Sequence, residues 1–199
     1  MQAQYSTGIL PEVHSAIEDF FAYFTHSPSL VHRLYSLKEM DITSPKWLQI
    51  ASQALAQALD MQIKLTNWYA NWTHIVPLPT ETLSSTGDFL YPVILTYRDM
   101  VDATIYCGYY SYMVILHTTL DTLGHPGPHN ATVIYFRDQI CRSLEFNGAG
   151  VLGPYRMSFP LRVAYEVGDA LTKSWILSHL EGFSKTYAAA RPENFQSSS

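Results

Sequence analysis

Four tyrosines within seven residues, Tyr106, Tyr109, Tyr110 and Tyr112, precede a histidine and an aspartate, His117 and Asp121. At helical spacing Asp102, Tyr106, Tyr109, Met113, His117 and Leu120 share one face, with Tyr110 and Asp121 at its margins. Every buried phenol needs a hydrogen-bond partner, so tyrosines at this density suit the wall of a cavity that takes a hydrophobic ligand. A His and an Asp at i and i+4 can pair and move a proton, and a tyrosine hydroxyl beside them can polarise a carbonyl. Tyr109, His117 and Asp121 are therefore the expected catalytic groups. Trp68, Trp72, Asp102, Tyr106, Tyr110, Met113 and Arg162 are the expected substrate contacts. A plainer reading stands beside each: core or dimer packing for the tyrosines and tryptophans, a local polar pair for His117 and Asp121, and a structural ion pair for Arg162 with Glu166.

Other chemistries lack their residues. There is no Gly-x-Gly-x-x-Gly, no phosphate loop and no Gly-x-Ser-x-Gly elbow, and no set of His, Asp, Glu and Cys has metal-ligand spacing. No metal and no cofactor are expected, so any chemistry would be cofactor-free. The formal charge is −5, and the 12 Lys and Arg residues are scattered singly. A duplex binder needs a clustered basic face, which argues against nucleic acid as a partner. Two cysteines, Cys107 and Cys141, make neither a disulfide framework nor a zinc site and fit a reducing compartment, cytoplasmic or nuclear. The first residues carry no basic leader, and no apolar stretch reaches bilayer length, so no membrane partner is expected.

The elements that must position these groups read as helices throughout. Val13, Ile17, Phe20, Phe21 and Phe24 line one face from 11 to 24. Ser44 is placed as N-cap and Pro45 at the first helical position of a long apolar helix, which carries Trp47, Leu48, Leu55, Ile63, Trp68 and Trp72 to about residue 74. Residues 77–90 read as a surface loop and a candidate mobile lid. A second long helix is expected from about 96 to 123, stopped by Gly124 and Pro126, a third from about 130 to 145, and a last from about 159 to 190. No stretch alternates with a period of two between turn pairs, which disfavours a sheet, and no repeat period is present. The expected fold is an all-α irregular bundle with two long central helices, a single domain over 1–199 with flexible ends at 1–10 and 191–199.

Several segments carry a resemblance. Tyr91-Pro92, Asp99-Met100-Val101-Asp102-Ala103 and Tyr109-Tyr110 are followed by Ile140-Cys141-Arg142-Ser143, the turn Gly150-Val151-Leu152-Gly153, Phe159-Pro160-Leu161-Arg162-Val163-Ala164 and a helix carrying Trp175. In this order they resemble the C-terminal end of the regulatory domain of fungal zinc-cluster transcription factors, from about Tyr91 to Trp175. The resemblance implies an all-α domain that regulates transcription, often of secondary-metabolite genes, and responds to ligands or partners. It implies no catalytic motif. The six-cysteine DNA-binding cluster of those factors has no counterpart among these residues.

Two functional classes follow, the first as the leading reading and the second as its alternative. The first is an enzyme recruited from a regulator fold, a cyclase or isomerase that steers a hydrophobic polyketide- or terpenoid-type intermediate in an aromatic pocket. The second is a non-catalytic ligand-sensing or dimerising regulatory domain. The expected partner is a hydrophobic small molecule, and a homodimer is compatible with either class.

Overall fold

A computed structural model describes residues 11–184 and 191. Of the ends read as flexible, 1–10 and 191–199, all but residue 191 lie outside the described residues, as does the 185–190 stretch expected to finish the last helix. The fold class is all-α. Its helices are α1 (Pro11–Phe24), α2 (Ser27–Glu39), α3 (Pro45–Ile75), α4 (Met100–Thr122), α5 (His129–Arg142), α6 (Leu144–Asn147), α7 (Gly153–Glu166) and α8 (Ala170–Ser184). A small hairpin, β1 (Thr80–Leu83) and β2 (Val93–Thr96), interrupts the helices between α3 and α4.

Sequence chemistry sets the ends of the long helices. The Ser44 hydroxyl accepts the Trp47 N–H at 3.1 Å, and Pro45 follows where no donor is needed. The Asp99 carboxylate caps α4 by accepting the N–H groups of Val101 and Asp102, both at 2.9 Å. Its other end closes with the N–H of His125 on the Leu120 carbonyl and that of Gly124 on Asp121, while Gly124 takes a φ of 66° that a side chain would resist.

α4 is the central element. From Asp102 to Leu120 nearly every side chain is buried, because α1, α2, α3, α5 and α7 all pack on it. α3 contributes a stripe of Ala51, Ala54, Ala58, Leu65, Trp68 and Trp72, whose small members let α1 and α2 approach closely. The remainder of the apolar series is not all inside: Phe21, Leu48 and Ile63 are exposed.

Three expectations are corrected. Residues 77–90 are not wholly a loop: β1 pairs antiparallel with β2 from Thr80↔Thr96 to Leu83↔Val93. β1 is exposed on both faces while Ile94 and Leu95 are both buried, so neither strand shows the alternation that announces a sheet. α4 consequently begins at Met100, since residues 93–96 belong to the hairpin. The last helix is two helices. α7 starts at Gly153 rather than near residue 159, with Pro154 in its first turn, and the chain breaks at Gly168 before α8. Pro160 instead lies buried inside α7.

Candidate functional site

The hairpin carries a strap, residues 84–92, that is fastened at both ends to the helices. Asp88 Oδ1 accepts the N–H groups of Leu90 and Tyr91 at 2.8 and 2.9 Å, the geometry of an Asx turn. Its Oδ2 accepts the Trp175 indole N–H from α8 at 2.5 Å and lies 3.9 Å from His179 Nε2. Glu145 of α6 holds the other end: Oε1 accepts the N–H and hydroxyl of Ser85, and Oε2 accepts the Ser84 hydroxyl at 2.8 Å. Side-chain hydrogen bonds at Ser84, Ser85 and Asp88 thus tie the segment to α6 and α8.

Beneath the strap is a cleft of about 190 Å³ walled by Tyr91, Ile94, Cys141, Leu144, Trp175 and Phe183. Trp175 meets Tyr91 edge to face at 4.7 Å, and the His179 ring lies 4.2 Å from the indole, its Nδ1–H donating to the Trp175 carbonyl. Burial pushes the Asp88 carboxyl up, but the donors from Tyr91, Trp175 and Leu90 outweigh it and hold Asp88 below its ordinary value. Glu145 is likewise held low: burial raises it, and its bonds from Ser85 and Ser84 lower it by more. The cleft therefore carries two carboxylates that are charged at neutral pH, with Thr86 and His179 as its other polar side chains and an apolar remainder. Burial pushes the Cys141 thiol up to about 12 and Cys107 up to about 11, so neither supplies a thiolate nucleophile.

The residues expected to form the aromatic pocket are brought together as a packed cluster. Trp68 stacks on Trp72 at 5.3 Å, Tyr69 stacks on Tyr109 at 4.5 Å, and Tyr106 and Tyr110 close the group at 6.0 Å. The Trp68 indole N–H donates to the Ala16 carbonyl at 2.8 Å, which ties α3 to α1. The Tyr106 hydroxyl donates to the Pro77 carbonyl at 3.1 Å. Burial raises the phenols of Tyr106, Tyr109 and Tyr110 above their ordinary value, leaving them neutral hydrogen-bond groups. Met113 is buried further along the same helix.

The other site residues separate. The His117–Asp121 pair does not form, because Asp121 faces solvent while His117 is turned inward, with Nδ1 2.9 Å from His129 Nδ1. His129 in turn places Nε2 3.2 Å from His125 Nδ1, giving a three-imidazole chain across the α4–α5 turn. Burial, and then the neighbouring His129, push His117 down to about 4, so it is neutral at physiological pH. Asp102 sits at the start of α4 in an ion pair with Arg98 at 2.9 Å, its pKa raised by burial and by Asp99. Arg162 on α7 pairs with Glu166 at 2.7 Å.

Sequence reasoning missed the strap fastening and the histidine chain. Gly87-Asp88 with two following amides is an Asx-turn pattern that could have revealed Asp88 as a clamp. His125 and His129 flank Pro126-Gly127-Pro128, where the turn itself forces proximity. Nothing local pointed to Glu145 or His179, whose partners lie on other elements. Comparison of the chain with protein-family models, with curated proteins and with solved structures returns no match. No helix of the described residues is long and apolar enough to cross a membrane.

Proposed function

We propose that this chain is a non-catalytic regulatory domain, of the kind carried by the fungal zinc-cluster transcription factors that its sequence resembles, and that it senses a small hydrophobic molecule in the cleft under the strap. The observation that carries this reading is the clamp itself. Two charged carboxylates hold a chain segment over an apolar cleft, so occupancy of the cleft and the position of the strap are coupled. A ligand that fits better with the strap displaced would shift that equilibrium. Leu83 and Phe89, 79% and 81% exposed, lie in β1 and on the strap, where such a shift would be presented to a partner.

The cleft is small. A cavity of about 150 Å³ accommodates benzene, so a molecule with a single ring is the natural occupant. The test is a titration with phenol and with p-cresol, followed by NMR at the Trp175 indole N–H. Saturable shifts in the native protein, lost when Leu144→Trp fills the cleft, are expected. Shifts that persist in that variant, or their absence in the native protein, would overturn the assignment of the cleft.

The aromatic cluster on α4 supports a second reading, the cofactor-free cyclase or isomerase acting on a polyketide- or terpenoid-type intermediate. It is the weaker of the two, because the groups that would move a proton are neutral phenols and a histidine occupied by another histidine. Conversion of a polyketide- or terpenoid-type compound to an isomer without added cofactor, abolished by Tyr109→Phe in a folded protein, would favour it.

A further inference from the structure

We propose that the groove between α2, α4 and α7 is a second binding site and takes the alkyl chain of a small amphiphilic acid. It shares no lining residue with the strap cleft, so it stands or falls independently of the reading above. The groove has a volume of about 150 Å³, and its walls are Val31 and Leu34 of α2, Val114 and Ile115 of α4, and Phe159 and Val163 of α7. Such a lining favours an apolar body for its occupant.

One hydroxyl marks the groove as unfinished. On α4, Thr104, Ser111, Thr119 and Thr122 each donate to the carbonyl four residues back, at 2.7, 2.7, 2.8 and 2.8 Å. Thr118 lines the groove, and its Oγ1 is buried with no hydrogen-bond partner among the described residues. A buried hydroxyl without a partner is unfavourable, so an acceptor that reaches it as the groove opens around a ligand gains a hydrogen bond.

The rim decides the sign of the head group. Lys38, Arg162 and Glu166 are the charged side chains that line the groove; Arg162 and Glu166 pair with each other at 2.7 Å, so Lys38 carries the net charge of the rim. The Lys38 ammonium is held 5.7 Å over the Tyr35 ring, which keeps it at the mouth. A carboxylate is matched to this rim, and an ammonium is opposed by it.

The experiment uses octanoate, octanol and octylamine, titrated into the whole protein and followed by calorimetry and by NMR of the Val114 and Ile115 methyl groups. Octanoate should bind saturably, and octylamine about tenfold more weakly or not at all. Thr118→Val should raise the melting temperature of the free protein and weaken octanoate about tenfold, the effect of one lost hydrogen bond. Lys38→Gln, an exposed change, should weaken octanoate while the helix dichroism stays that of the native protein. The proposal is overturned if octanoate fails to saturate, or if octylamine binds as well. It is overturned equally if Thr118→Val raises the melting temperature and leaves octanoate binding unchanged, which would make the hydroxyl a packing defect.

Discussion

At the scale of single residues, burial more than proximity decides what each titratable group can do. His117 is 7% exposed and meets another imidazole, so its neutral form is favoured twice, once by desolvation and once by the positive charge that His129 would otherwise face. The pKa falls from 6.5 to about 4. Between those values the unfolded chain binds a proton that the folded one refuses, so stability is complete above about pH 6.5 and declines as the pH falls toward 4. The decline assigned to this one group is of the order of 3 kcal/mol. Denaturant titrations from pH 7 to pH 4 should show it, and His117→Asn should flatten the profile over that window while leaving the carboxylate-driven loss below it. An unchanged profile in the variant would place the pH dependence elsewhere. His117 was legible as a site for unusual chemistry from its place on α4, but its partner was not. Asp121 is nearer in sequence, yet i+4 spacing only permits a pair, and the buried face of α4 carries His117 away from it.

At the scale of elements, the turn between α6 and α7 is the tightest joint in the fold. A Cβ built on Gly153 would lie 1.8 Å from the Gly148 carbonyl oxygen, a backbone atom that cannot give way. Gly153→Ala should therefore destabilise by about 3 kcal/mol or more through backbone displacement. Gly182, in α8, has nothing within 4 Å of such a Cβ, and Gly182→Ala should stabilise by about 1 kcal/mol through helix propensity alone. Thermal melts of the two variants, read against each other, separate close approach from chain entropy; equal shifts would contradict the packing of this turn. The glycine-rich turn was legible as a turn from composition. That it brings two backbones into contact was not, because close approach is a property of the pair Gly148 and Gly153 and leaves no periodic trace. The hairpin escaped for a related reason. Strands of four residues each, one exposed on both faces and the other with adjacent buried residues, carry too little alternation to compete with the helical pattern around them.

At the scale of the whole molecule, one contiguous core runs from Val13 of α1 to Leu180 of α8, and α4 lies in its middle. The fold class was legible because helix periodicity and caps act locally; the arrangement was not, because a helix that is apolar on all sides does not say which neighbour takes which face. The core predicts how the protein should come apart. Leu116 and Leu120 are fully buried on α4, where several helices meet, so truncating either leaves a cavity that no single neighbour can close. Leu116→Ala should lower stability by about 3 kcal/mol. Trp47, Trp68 and Trp72, all on α3, report its packing on α2 and α1, and Trp175 reports the strap side. If α4 couples the two sides, unfolding followed at the tryptophans and by helix dichroism should coincide, in the native protein and in Leu116→Ala alike. Divergence of the two probes would mean that the α1–α3 layer opens separately. The strap could then be released without the core, and a ligand under it would be felt only locally. Coincidence means instead that any free energy bound in the strap cleft stabilises the whole bundle, so occupancy should shift the melting temperature of the entire protein.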